Sequence, residues 1–226
     1  MNVMKSSLFA KALIKFISGL IITIILIFIP AGSVRFLNGW IFTALLFVPM
    51  FIVGIILLIK NPTLLEKRLN AKEEQSGQKA VVALSGIMFI AGFVIAGLNY
   101  RFSWLVLPSW VTAAASVIFM LSYIMYSEVL RENEYLSRTI EVQENQKVVD
   151  TGLYSVIRHP MYSATILLFL SIPLILGSLY SFVVFLIYPF AIIARLKNEE
   201  QLLEKDLAGY TEYKKKVKYR LIPFIF

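Results

Sequence analysis

Three long stretches of this chain carry almost no charge. Between Lys15 and Lys60 the one charged residue is Arg35, between Lys79 and Glu128 it is Arg101, and between Arg158 and Arg195 there is none. A soluble domain of 226 residues needs a polar surface. A chain that is 58% hydrophobic and 16% charged, with its charges gathered into clusters, cannot supply one. Mean hydropathy is +0.76. In hydrocarbon the backbone finds no water to bond, so such runs must satisfy their own N–H and C=O groups as helices. The expected fold is all-α, a polytopic membrane helical bundle.

A hydrocarbon core about 30 Å thick takes roughly 20 apolar residues as helix. Four candidate spans lie at 13–31, 38–59, 81–99 and 105–127. Lys5, Lys11 and Lys15 precede the first, as in a signal peptide. Its apolar run, 16–32, nevertheless exceeds the ~7–15 residues of a signal core, so it reads as a retained span. The last run, 163–194, is too long for one ordinary crossing. Pro173 and Gly177-Ser178 interrupt it, which predicts a hairpin of two short helices at about 163–176 and 179–196. The competing reading is one kinked, strongly tilted helix.

Six spans place all 22 lysines and arginines except Arg35 and Arg101 on one side. That asymmetry predicts a multi-pass protein of the cell membrane with both termini and both long loops in the cytoplasm. Residues 1–127 then form a section of four spans. Residues 128–226 form a second section of cytoplasmic loop, hairpin and basic tail. Within it, 128–161 is the one long polar connection between spans, and connections of that length are usually functional. Residues 128–144 read mostly as helix continuing out of the fourth span, and 145–153 as extended or turned around Gly152.

Composition also excludes some chemistry. The chain has no cysteine, so disulfides and thiolate catalysis are out, and with one histidine a zinc or iron site has too few ligands. A net charge of +8 could serve nucleic acid, but the basic residues flank apolar runs and suit anionic headgroups of membrane lipids better. The tail supports this, with Lys214-Lys215-Lys216-Val217-Lys218 among Tyr210, Tyr213, Tyr219, Phe224 and Phe226. No Gly-rich nucleotide loop and no serine–histidine–aspartate set is present.

Two polar clusters remain, one at each end of the hairpin. His159-Pro160 fits a helix entry, with proline in the first turn and the preceding residue extended. Taken alone, His159 reads as a helix cap. Arriving with Tyr154, Arg158 and Tyr162, it sits at a helix N-terminus, an end suited to an anionic group such as a carboxylate. At the other end Arg195 and Glu199 are four apart and share a helix face, while Glu200 lies about 100° round. An ordinary helical salt bridge and a functional pair account for that spacing equally well. An arginine, carboxylates, tyrosines and one histidine beside lipid suit the orienting of a charged small molecule and transfer driven by proximity.

Gly152-x-Tyr154-x-x-x-Arg158-His159-Pro160-x-Tyr162, an apolar hairpin, Arg195-x-x-x-Glu199-Glu200 and Tyr210-x-x-Tyr213 together resemble the isoprenylcysteine carboxyl methyltransferase family over about 128–226. Asn61-Pro62-Thr63-Leu64-Leu65-Glu66-x-Arg68 and Arg101-Phe102-Ser103-Trp104 look like its bacterial branch. Phospholipid methyltransferases share the Arg-His-Pro-x-Tyr element, and sterol and steroid reductases carry a similar one with asparagine where Met161 stands.

The resemblance implies S-adenosyl-L-methionine as cofactor and a lipophilic or prenylated substrate. It implies that Gln143 contacts the cofactor and that the backbone of Gln146, Lys147, Val148 and Val149 runs along it. Further contacts fall on Tyr154, His159, Pro160, Met161 and Tyr162, with Gly152 and Arg158 in the same motif. Glu199 is implied as the carboxylate that binds the donor, with Glu200 beside it. Arg195 is implied to position the substrate carboxylate. Leu153 stands where many bacterial relatives have proline, which implies a change in loop stiffness rather than in chemistry. The implied activity is carboxyl O-methylation of a prenylcysteine-like substrate. A phospholipid N-methyltransferase, an NADPH-dependent membrane reductase and a non-enzymatic membrane protein are the alternatives.

Overall fold

The computed structural model describes residues 2–69, 76–136 and 142–226, and the side chains of 2–6 and 76–78 fall outside the description. Four long helices come first: α1 (Asn2–Ala31), α2 (Leu37–Lys60), α4 (Ser76–Phe102) and α5 (Ser109–Glu132), with the short α3 (Pro62–Leu69) between α2 and α4. A 3-10 turn at Gly152–Ser155 leads to α6 (Pro160–Ile175), α7 (Leu179–Phe185), α8 (Ile187–Asp206) and α9 (Tyr210–Lys216). There is no strand among the described residues.

Five stretches are long and apolar enough to cross a bilayer: Ser7–Ala31, Leu37–Lys60, Lys79–Phe102, Ser109–Glu132 and Leu179–Asp206. Ile14 and Ile29 on α1 and Ile52 and Ile59 on α2 are at least half exposed, as lipid-facing residues are. The chain is a multi-pass membrane protein. The sixth apolar element, α6, has 16 residues, ~24 Å at 1.5 Å per residue, so it is shorter than the others.

The expected hairpin is present and turns at Gly177-Ser178 as expected, whereas Pro173 does not interrupt its first limb. Helix α6 runs through Pro173 and ends in a glycine turn: Gly177 (φ +75°) donates to Leu174 O at 3.1 Å and Ser178 N to Pro173 O at 2.9 Å. That pattern satisfies the last carbonyls of a helix. The return limb extends to Asp206, beyond the expected 196, and breaks at Leu186. Pro189 accounts for the break, because it has no N–H and its ring crowds the carbonyl four residues back, at Phe185.

The helix expected through 128–144 stops at Glu132. Asn133 ends it: its side-chain oxygen accepts from Tyr135 N at 3.0 Å, a local bond that competes with the helical one. Residues 142–150 are turned or irregular, and the rest of that expectation, 137–141, lies outside the described residues.

Packing fixes the hairpin against the first spans. Helix α5 lies along α6, and α4 meets α7. Phe42, Phe93, Phe119 and Phe185 are buried in one core, with ring centroids of Phe42–Phe93 5.6 Å apart. Gly92 admits Phe185, whose Cε2 would lie 2.2 Å from a Cβ at that position, and its carbonyl accepts from Ser181 Oγ at 2.8 Å. The chain after α9 also enters the core. Leu221 is buried there, and its carbonyl accepts from Ser163 Oγ at 2.6 Å. Thus the basic tail is a structural strap across the start of α6.

Candidate active site

Spacing on α8 lays out the site. Arg195, Glu199, Leu203 and Leu207 recur every four residues and so share a face. They run ~18 Å from a charged end to an apolar one. All four line a pocket enclosing about 850 Å³, open mouth included. His159, Met161 and Tyr162 at the start of α6 form a second wall, and Gln146, Lys147, Val148 and Val149 a third. Tyr154 and Arg158 before α6, Tyr210 and Tyr213 of α9, and Asn133, Tyr135 and Leu136 after α5 complete the lining.

At the charged end Tyr162 is the junction. Its hydroxyl donates to Glu199 Oε2 and accepts from Arg195 Nε at 3.1 Å. The Tyr162 phenol thus touches both members of the expected Arg195–Glu199 pair. The His159 ring stacks on Tyr162, centroids 5.7 Å apart and planes 24° from parallel. Arg195 and Tyr162 are both buried, which strengthens charge interactions between them and any ligand.

Glu200 faces away from this lining. It is buried, accepting from Arg158 Nε at 2.7 Å and Arg220 Nε at 2.9 Å, and His159 Nε2 lies 3.3 Å from its Oε1. Arg158 Nη1 also donates to Val217 O at 2.7 Å and Lys218 O at 2.8 Å. The N–H groups of Arg158 and His159 donate to Tyr219 O and Arg220 O. Two of the donors at this helix entry that could meet an anionic ligand thus hold the tail instead.

The loop before α6 is fixed to α5. Glu132 Oε2 accepts from Leu153 N at 3.0 Å, and Asn133 Nδ2 donates to Tyr154 OH at 2.9 Å. Tyr213 OH in turn donates to Tyr154 O at 2.7 Å. Gly152 makes this possible: its φ is +51°, and a Cβ there would lie 1.5 Å from Glu132 Oε1. Gly152→Ala should lower stability by about 1–3 kcal/mol, from the left-handed backbone and the displaced carboxylate. Thermal unfolding in detergent checks this, and a wild-type midpoint would show that the loop relaxes freely.

Eleven residues expected at the cofactor or substrate line the pocket: Gln146, Lys147, Val148, Val149, Tyr154, Arg158, His159, Met161, Tyr162, Arg195 and Glu199. Gln143, Gly152, Pro160 and Glu200 are not part of the lining. Gln143 Nε2 donates to Tyr135 O at 2.7 Å while its Oε1 accepts from Lys67. Pro160 occupies the first turn of α6, as its sequence position implied. Neither spacing nor resemblance assigned a site role to Asn133, Tyr135, Leu136, Leu203, Leu207, Tyr210 or Tyr213. Leu203 and Leu207 carried a signal, since they continue the Arg195–Glu199 spacing. Asn133, Tyr135 and Leu136 carried none.

Burial pushes the hydroxyls of Tyr154, Tyr210 and Tyr213 above the usual tyrosine range, so all three are neutral phenols at physiological pH. No three of His, Asp and Glu gather as a metal site among the described residues.

Residues 110–208 match the family model described as phospholipid methyltransferase. No curated protein matches the chain. The matched segment runs from α5 past the end of α8, so it carries three of the pocket walls and the whole hairpin. It indicates a membrane methyltransferase. It does not single out the isoprenylcysteine branch from its neighbours.

Proposed function

We propose that this protein is an S-adenosylmethionine-dependent methyltransferase that esterifies the carboxylate of a lipophilic, prenylcysteine-like molecule at the cytoplasmic face of the cell membrane. The observation that carries the reading is the Arg195–Tyr162–Glu199 relay, its arginine and tyrosine buried, at one end of a pocket whose other end is apolar. The residues fit such a donor: Glu199 offers a carboxylate to its cationic part, Leu203 and Leu207 offer apolar walls, and Tyr210 offers a buried hydroxyl with no protein partner among the described residues. When bound, S-adenosylmethionine would supply a methyl carbon already activated by the sulfonium charge.

The chain's own task is then alignment and exclusion of water. An acceptor carboxylate is ionised at neutral pH and needs no general base. Arg195 holds it, with Tyr162 fixing the guanidinium beside Glu199. Burial of Arg195, Tyr162 and His159 keeps water from competing. A lipophilic acceptor enters from the bilayer, between helices, and the donor from the cytoplasm. Glu200 and the tail keep the two hairpin ends together.

An amine acceptor on a phospholipid is the second reading, favoured by the description of the matching family. Transfer of radiolabelled methyl groups from S-adenosylmethionine into a membrane lipid extract separates the two. A base-labile labelled product is expected, as an ester would be. A base-stable product identifies an amine acceptor, and no labelled product from purified, folded protein overturns the methyltransferase reading.

A further inference from the structure

One polar atom in the pocket wall has no role in holding the fold. Tyr210 is 4% exposed, and its hydroxyl is buried without a hydrogen-bond partner among the described residues. The neighbouring tyrosines are all engaged: Tyr154 with Asn133, Tyr162 with Glu199 and Arg195, Tyr213 with the Tyr154 carbonyl. A buried donor in this state is unfavourable, and phenylalanine would pack the same ring without the penalty.

The ring is not free to swing its hydroxyl into water. It packs among Leu207, Tyr213 and Val217, with Val148 and Leu203 against the cluster, and lies 5.7 Å from the Tyr213 ring, centroid to centroid. Gly209, at φ +84°, turns the chain so that Tyr210 opens α9 facing back to α8. Burial first, and the Glu200 and Glu199 carboxylates after it, push the hydroxyl above the usual range, so it keeps its proton. It is a donor held in place by packing, on a residue that lines the pocket.

Position along α8 says which part of a ligand it meets. Glu199 and Leu207 are eight residues apart, ~12 Å, so charged groups and apolar walls sit at separate ends. Val148, Leu203 and Leu207, beside Tyr210, bring no polar side-chain atom of their own. Apolar walls with one fixed donor suit a nucleoside, whose flat base is apolar on its faces and bears acceptors at its edge. We infer that Tyr210 binds the methyl donor directly, its hydroxyl donating a hydrogen bond to an acceptor on the nucleoside end. This rests on the methyltransferase reading above.

Tyr210→Phe in the full chain, purified in detergent, tests it through two readouts besides activity. The first is the thermal midpoint without ligand. The second is calorimetric affinity for S-adenosylhomocysteine, with displacement by 5′-methylthioadenosine, which keeps the nucleoside and lacks the amino acid. The expected result is an unchanged or higher midpoint, with both compounds weakened by the same factor, about five- to tenfold. Wild-type affinity for both overturns the inference, and so does a lowered midpoint, since the hydroxyl would then have a structural partner. A loss confined to S-adenosylhomocysteine moves the bond to the amino-acid end and overturns the nucleoside assignment. That assignment also fails if wild-type protein binds S-adenosylhomocysteine but is not displaced by 5′-methylthioadenosine. Wild-type protein that binds neither compound overturns the methyltransferase reading first, and this inference with it.

Discussion

Glu200→Ala is expected to cost about 3–5 kcal/mol of stability, the usual penalty for removing one partner of a buried ion pair. Glu200 is 3% exposed and joins three elements through one carboxylate: Arg158 and His159 at the start of α6, and Arg220 in the tail. Its removal leaves Arg158, itself buried, with a guanidinium that the Val217 and Lys218 carbonyls satisfy only in part. Set against a typical net stability of about 5–15 kcal/mol, that loss should loosen the tail before the membrane helices melt. The measurement is limited tryptic digestion in detergent, with thermal unfolding alongside. Cleavage at Lys214–Lys218 should accelerate at temperatures where the wild type resists. Glu200→Gln keeps an acceptor without the charge and should fall between. A mutant that resists trypsin like the wild type would remove Glu200 from its role as the tie.

Much of this arrangement is legible in the sequence, and the limits have physical causes. Charge-free runs declare membrane helices because the bilayer leaves the backbone no other way to satisfy itself. The hairpin follows from Gly177, which the structure places at φ +75°. Its internal break does not, because Pro173 and Pro189 look alike in sequence and their packing decides which one bends the chain. Arg195 and Glu199 are found by spacing, whereas the phenol touching both comes from another helix, 33 residues away from Arg195. Glu199 and Glu200 are adjacent and identical in type. Only the 100° between them on α8 sends one into the pocket and the other to Arg158 and Arg220. The end of α5 falls earlier than its sequence suggests because Asn133 exchanges helical bonding for contacts with Tyr135 and Tyr154, the second a long-range event.

Glu199→Ala and Arg195→Ala should fail in different ways, and the difference tests the division of labour in the relay. Glu199 presents a carboxylate to the lining, so its loss should weaken donor binding by about 10- to 100-fold, as expected for a charge-assisted contact. S-adenosylmethionine carries a sulfonium and an ammonium, whereas S-adenosylhomocysteine keeps only the ammonium. If Glu199 meets the ammonium, calorimetric titration should show both compounds losing the same factor. A larger loss for S-adenosylmethionine would place the carboxylate at the sulfonium instead. Arg195→Ala should leave S-adenosylhomocysteine binding within about threefold of wild type while methyl transfer falls by at least about 100-fold, because the lost contact is to the acceptor. Tyr162 couples the two, since its hydroxyl touches both side chains, so Tyr162→Phe should show part of each defect. Equal losses of donor binding in Glu199→Ala and Arg195→Ala would mean that the relay acts as one donor-binding unit, and the acceptor would then need a different anchor.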